Sequence, residues 1–187
     1  MQVGEICHFT DRRDQEKFAH DLVVNGNKQI NTEAVLWGKL NEPKAVKSFE
    51  EQSHNKVRKC GLHISLDHHF LAATPDGLVA EVSLLEVKCP FSIKDEFVTP
   101  ENYPHVEYRN GELCLKKTSN YYYQVQTQLY CAKKDYCFFY IWTLCGGRII
   151  HVKKDMDLLF NVIIPKVQVF YDTYMVPEIQ KRIYPLV

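Results

Sequence analysis

Residues 84–88 have the composition of a β-strand in which two charged side chains interrupt an apolar stretch. Successive side chains of a strand point to opposite faces. Glu86 and Lys88 therefore share one face, and Leu85 and Val87 occupy the other. The sequence predicts a strand of buried character that carries a carboxylate and an ammonium on the same side.

A second carboxylate lies in a turn before this strand. Pro75-Asp76-Gly77 has turn composition, because proline fixes φ and glycine permits positive φ. Asp76 stands ten positions before Glu86, and the two carboxylates come close if the chain on either side of Asp76 pairs as a hairpin. Adjacent carboxylates repel each other unless a cation intervenes, and oxygen ligands suit Mg²⁺ or Mn²⁺. The alternative is a plain turn beside an exposed Glu86–Lys88 ion pair worth about 0–1 kcal/mol.

Length and composition are those of a globular protein. The chain has 187 residues, 45% of them hydrophobic and 25% charged, which favours one domain over residues 1–187. No apolar run approaches the roughly 18 residues that span a bilayer, and the N-terminus lacks a secretory signal pattern. The 23 basic residues balance the 23 acidic ones, so the chain has no overall field that attracts polyanions.

Basic residues do cluster locally. The clusters are Lys56 with Arg58 and Lys59, Lys116 with Lys117, Lys133 with Lys134, and Lys153 with Lys154. Each cluster taken alone is typical of solvated surface. Overall neutrality still permits nucleic-acid binding where acidic residues hold metal ions.

The seven cysteines form no C-x-x-C pair, and no cysteine and histidine have zinc-finger spacing. We interpret them as free, mostly buried thiols of an intracellular, reducing compartment. A catalytic thiol is the alternative, and it is disfavoured because Cys89 precedes Pro90 and has no base beside it in sequence.

Hydrophobic periodicity and turn residues predict the elements. Helices are predicted at 11–24, from Asn31 or Thr32 onward, from Pro43 onward, from Ser119 or Asn120 to about 132, and from Asp155 onward with interruptions near Pro165 and Pro177. Strands are predicted at 61–66, 71–73, 78–80, 84–88, 136–144 and 148–152, with an Asn110-Gly111 hairpin joining 106–108 to 113–115. This order predicts an α/β (α+β) fold with a central mixed sheet flanked by helices.

Four segments carry a resemblance to a known family. They are WGKLNEPKAVKSFEE, ATPDGLV, LLEVKCPF and YYYQVQTQLY, followed by an aromatic strand that contains YIW. In this order they resemble the lambda-exonuclease and YqaJ-like viral recombinase branch of the PD-(D/E)XK nucleases. The resemblance spans residues 36–142 and implies a restriction-endonuclease-like core.

The resemblance also implies a metal site and a catalytic lysine. Asp76 and Glu86 match the metal-binding carboxylates, and the Val87 carbonyl would be a further ligand. The metal would be Mg²⁺, with Mn²⁺ able to replace it. Lys88 matches the lysine that positions or deprotonates the attacking water.

Two further residues match the family at the edge of the site. Glu42 matches a helix glutamate that reaches the metal through water, and Gln124 matches an active-site glutamine. From the residues alone, Glu42 could equally be a carboxylate favoured at a helix N-terminus, and Gln124 could face solvent. Gln124 and Gln128 are four apart and share a helix face, whereas Gln126 points away.

The family implies a DNA nuclease, most readily an exonuclease that resects duplex ends in recombination or repair, with DNA and a single-strand annealing recombinase as partners. Rival interpretations are an endonuclease with the same active site and a non-catalytic DNA-binding domain. One departure concerns the family's N-terminal arginine and serine, which hold a 5′ phosphate. No such pair precedes Trp37, and Arg12 and Arg13 are candidates by position only. The chain would then lack this N-terminal element.

Overall fold

A computed structural model describes residues 3–8, 14–26 and 32–183. Its main helices are α1 Val3–Cys7, α2 Gln15–Asn25, α3 Glu33–Ser53 and α4 Asn120–Cys131, and a helical run from Met156 to Ile183 follows the last strand. Its strands are β1 Val57–Arg58, β2 His63–Ile64, β3 Ala72–Ala73, β4 Gly77–Val79, β5 Ser83–Lys88, β6 Val106–Arg109, β7 Glu112–Leu115, β8 Tyr136–Thr143 and β9 Gly146–Lys153. Arg12 and Arg13 lie outside the described residues.

Five strands form a central sheet in the order β1-β4-β5-β8-β9. The pairs β1–β4, β4–β5 and β8–β9 are antiparallel, and β5–β8 is parallel. The sheet is therefore mixed, as predicted, and the charged strand β5 lies at its centre. Two small antiparallel pairs, β2–β3 and β6–β7, stand apart from it.

Helices cover both faces of the sheet, which confirms the predicted fold class. On one face, Phe49 of α3 packs with Leu85 and Tyr140. On the other, Val125 and Leu129 of α4 pack in a cluster that includes Leu84, Phe139 and Ile141. The alternation of β5 thus places Leu85 and Val87 towards α3. Glu86 and Lys88 point towards α4.

The turn between β4 and β5 differs from the prediction. The hairpin bends at residues 80–82, where Ala80 has φ 52°, and Asp76 stands at the start of β4 instead of at the tip of a turn. Gly77 has no positive φ. A Cβ there would lie 2.2 Å from Cγ1 of Val57, so the glycine allows β1 to approach β4 closely.

The prolines interrupt the helices less than predicted. Pro43 lies inside the unbroken α3, although a proline in a helix interior costs about 3 kcal/mol. Buried Ala45 and Phe49 continue the packed face of α3, and this packing offsets the cost. The C-terminal run likewise continues through Pro165 and Pro177, each of which follows a π-turn, Leu159–Ile163 and Tyr171–Met175. The π-turns change the hydrogen-bond spacing just before a residue that lacks an N–H.

Other predicted elements fall close to their expected places. Thr32 and Ser119 cap α3 and α4 by accepting from backbone N–H groups, and Asn110 and Gly111 adopt φ of 53° and 81° in the β6–β7 turn. The strand predicted at 61–66 shortens to β2, and its apolar residues face solvent. None of the helices within the described ranges is long and apolar enough to cross a membrane.

Candidate active site

Pairing of β4 with β5 places Asp76 beside Glu86. Gly77 is opposite Leu85, and the amide N of Asp76 donates to the carbonyl of Leu85 at 3.1 Å. The amide N of Val87 donates in turn to Oδ2 of Asp76 at 2.6 Å. The carboxylate of Asp76 is therefore tied to the residue next to Glu86. The pairing that does this is that of β4 with β5, both after Asp76, and not the expected pairing of the chain on either side of Asp76.

The carboxylate of Glu86 is buried, at 2% relative exposure, and three side chains donate to it. Oε1 accepts from Nζ of Lys88 at 2.6 Å and from Nε2 of Gln124 at 2.7 Å, and Oε2 accepts from Nε2 of Gln128 at 2.7 Å. A buried charge needs such partners to offset the loss of water. Buried Glu86 and half-buried Lys88 thus belong to a hydrogen-bond network and are not an exposed ion pair.

The charge of Glu86 shifts the pKa of both Asp76 and Lys88. Burial, the charge of Glu86 and then that of Glu42 raise the pKa of Asp76 to about 7, although the Val87 amide opposes this. Burial alone would lower the pKa of Lys88, but the charge and hydrogen bond of Glu86 outweigh it and hold the pKa above its ordinary value. Lys88 is therefore an ammonium at neutral pH.

A cleft of about 270 Å³ opens onto Lys88 and is lined also by Lys39, Glu42, Cys89 and Tyr121. Glu42 is exposed on α3, and its charge reaches Asp76. Within residues 3–8, 14–26 and 32–183, no three His, Cys, Asp or Glu side chains come together as a ligand group. The structure thus ties Asp76 to the strand that carries Glu86, and Glu42 lines the cleft beside Lys88.

Two residues of the site were not predicted from the sequence. Gln128 donates to Glu86, and the ring centroid of Tyr121 lies 4.7 Å from Nζ of Lys88, within cation–π range. The ring of His105 packs on Tyr121 with centroids 4.4 Å apart. Helical spacing was the available signal, since Tyr121, Gln124 and Gln128 recur at intervals of three and four.

The donor set fits a divalent cation. Carboxylate and carbonyl oxygens are the ligands that Mg²⁺ prefers, and Asp76, Glu86 and the Val87 main chain supply them at the end of β5. Burial and then the charge of Glu86 raise the pKa of Asp76, and a bound cation would relieve the repulsion between the two carboxylates.

Solved structures with this fold include exonucleases. An alkaline exonuclease (LHK-Exo) from Laribacter hongkongensis matches with a TM-score of 0.71 at 20% identity, over 99% of this chain and 93% of that one. LHK-Exo in complex with dAMP gives 0.72 at 20% identity, over 100% and 93%. A phage-related exonuclease from Haemophilus somnus 129PT gives 0.67 at 11% identity, over 95% and 94%. At such identities the likeness establishes the fold alone.

The sequence comparisons identify the family. An uncharacterized protein of Acanthamoeba polyphaga mimivirus is 26% identical over 144 residues, which is 67% of this chain. The chain spans only 24% of that relative's length. The YqaJ-like viral recombinase domain matches residues 3–135, well over half of the chain. These residues include Asp76, Glu86, Lys88 and Gln124, and the chain accordingly belongs to the YqaJ-like viral recombinase domain family.

Proposed function

We propose that this protein is a metal-dependent DNA nuclease that hydrolyses phosphodiester bonds. The observation that carries the proposal is the ion pair of buried Glu86 with half-buried Lys88, beside Asp76 at the end of a central strand. A protein that needed only the fold would gain little from a buried carboxylate pair that raises the pKa of Asp76.

The side chains of Asp76 and Glu86 and the carbonyl of Val87 would hold Mg²⁺ or Mn²⁺. A bound divalent ion polarises a phosphoryl oxygen and lowers the pKa of a coordinated water. Gln124 and Gln128 each donate to one oxygen of the buried Glu86 carboxylate and so hold it in one orientation. The protein thus supplies a preorganised oxygen site at the end of β5.

Lys88 has a separate role next to these ligands. Its ammonium can donate a hydrogen bond to water or to a phosphate oxygen in the cleft, and its charge offsets the carboxylates that would repel DNA. Gln124 supports it, since Nζ of Lys88 lies 3.4 Å from Oε1 of Gln124. Glu42 at the rim would reach the metal only through water.

The substrate that we propose is linear duplex DNA, degraded from its ends, with residues 1–187 acting as one nuclease unit. The fold is shared with solved exonucleases, and the family name refers to viral recombinases. A single-strand annealing recombinase is the protein partner that fits resection, because resection creates the single strand that such a protein anneals.

The test compares end-labelled linear duplex DNA with closed circular duplex DNA. We expect Mg²⁺ or Mn²⁺ to support cleavage of the linear DNA and EDTA to abolish it. Ca²⁺ should permit binding with little turnover. Glu86→Gln, which removes the charge at nearly constant shape, should be inactive. Glu112→Gln, on the exposed β6–β7 hairpin, is the control and should cleave at the wild-type rate.

Three other outcomes would contradict part of the proposal. Cleavage of circular DNA would indicate an endonuclease with the same site. Full activity in EDTA would contradict the metal site. DNA binding without cleavage of either substrate in Mg²⁺ would identify a non-catalytic DNA-binding domain.

A further inference from the structure

The edge strand β1 ends in Arg58, and Lys59 follows it directly. β1 is antiparallel to β4, and β4 is antiparallel to β5, so β1 and β5 run in the same direction. β1 stops level with Leu84, two residues before Glu86, and the chain after it continues towards the proposed active site. Arg58 is opposite Leu78, which is opposite Leu84 of β5. Arg58 therefore projects from the same face of the sheet as Glu86 and Lys88.

The chain after β1 continues towards the acidic cluster. Sγ of Cys60 donates to the carbonyl of Pro75 at 3.4 Å, directly before Asp76. Along the chain, Lys59 lies between Arg58 and Cys60, the residue that makes this contact. Neighbouring strands are about 4.8 Å apart, so β1 lies about 10 Å from β5.

Both cations are exposed, and neither has an ion-pair partner among the residues that the structure describes. By contrast, Lys56 on the same segment does have an ion-pair partner, Glu50, at 3.6 Å. Lys117 and Lys154 elsewhere pair with Asp155 and Asp135. The side chains of Arg58 and Lys59 are therefore available to an external anion.

We infer that Arg58 and Lys59 bind the phosphate backbone of the DNA strand that passes through the active site. With the two-residue offset of about 7 Å along the strands, Arg58 lies about 12 Å from Glu86, which corresponds to about three to four nucleotides along one strand. The net charge of the protein is zero, so its affinity for DNA must come from local contacts of this kind. The inference rests on the proposed function. The alternative role of charges on an edge strand is to discourage pairing with another sheet.

Counterion release distinguishes these roles. Each phosphate contact contributes about 0.9 to the slope of log affinity against log salt concentration. We would measure binding of a fluorescein-labelled duplex of about 20 base pairs in EDTA, between about 50 and about 200 mM KCl. Arg58→Gln, Lys59→Gln should reduce the magnitude of the slope by about 1.8. The ratio of wild-type to variant affinity should then fall about tenfold across this range.

The matched control removes two exposed cations near the opposite edge of the sheet. Lys153 ends β9 opposite Tyr136, which is itself opposite Ser83 at the start of β5, and Lys133 lies just before β8. Lys133→Gln, Lys153→Gln should keep the wild-type slope. The charge-preserving exchange Arg58→Lys, Lys59→Arg should also keep it.

The inference is overturned if the Arg58→Gln, Lys59→Gln variant, folded as judged by its Tm, keeps the wild-type slope or loses no more than the control. That result leaves the proposed function intact if the wild type cleaves linear DNA in Mg²⁺. Failure of the wild type to cleave, by contrast, would contradict the function itself.

Discussion

Lys88 is fixed by three neighbours of different chemistry. Its ammonium donates to Glu86 at 2.6 Å and to Gln124 at 3.4 Å, and it faces the ring of Tyr121 at 4.7 Å. Together these contacts define both the charge and the direction of the side chain. A compact ammonium is therefore required at a particular point, and positive charge alone would not replace it.

Substitution of Lys88 separates charge from position. Lys88→Ala should lower single-turnover cleavage of linear duplex DNA by about 10²–10⁴ at saturating Mg²⁺. Lys88→Arg should remain badly impaired, because a planar guanidinium replaces a compact donor. Metal binding through Asp76 and Glu86 should survive in both variants.

The control for this series is Lys153→Ala, at the far end of the sheet, which should cleave like the wild type. Rates within about threefold of wild type for Lys88→Ala, about 0.7 kcal/mol in barrier, would instead assign Lys88 a purely structural role.

At the scale of elements, α4 divides its glutamines between two tasks. Gln124 and Gln128 face Glu86. Gln126 faces the other way, where Nε2 donates to the carbonyl of Lys153 at 3.0 Å and Oε1 accepts from the amide of Asp155 at 2.7 Å. One face of the helix thus serves the site, and the other ties α4 to the end of β9.

The two faces of α4 predict different effects for alanine substitutions of Gln124 and Gln126. Gln124→Ala should lower turnover by about tenfold, less than Lys88→Ala, with little change in Tm, because Gln124 supports groups that remain in place. Gln126→Ala should instead destabilise the fold by about 1–3 kcal/mol, since it leaves buried backbone groups unpaired, and should spare turnover. Single-turnover rates and thermal unfolding measure the two effects. The reverse pattern would contradict the assignment of the two faces.

Local patterns predicted most elements and the two faces of β5. Alternation was sufficient for Glu86 and Lys88, and helical spacing was sufficient for the shared face of Gln124 and Gln128. Partners supplied by distant segments could not be read from such patterns. The donors from α4 reach Glu86 across 38 and 42 residues of chain, and the packing that carries α3 through Pro43 is likewise tertiary.

For the molecule as a whole, the acidic pair makes stability depend on pH. The pKa of Asp76 is raised from 3.8 to about 7 in the folded protein, so the folded state holds a proton that the unfolded state releases. Stability from this group is therefore greatest at low pH and falls as pH rises from about 4 to about 7. A shift of this size corresponds to about 4 kcal/mol between the two protonation states.

As pH rises from about 5.5 to about 8, the Tm of the metal-free wild type should therefore fall further than that of Asp76→Asn. The asparagine can still accept from the Val87 amide but carries no charge. Addition of Mg²⁺ at pH 8 should raise the Tm of the wild type and not that of the variant. Thermal unfolding in EDTA and in Mg²⁺ measures both effects, and parallel pH profiles in EDTA would contradict the raised pKa.

The parallel pairing of β5 with β8 also determines where this domain can be cut. Residues 3–135 match the family, yet β8 begins at Tyr136 and covers the whole length of β5. A chain that ended at residue 135 would leave β5, five of whose six residues are buried, as an open apolar edge. Such edges recruit other strands, so the truncated chain would be prone to aggregation. A chain that keeps β5 covered therefore extends at least through β8, beyond the residues that match the family.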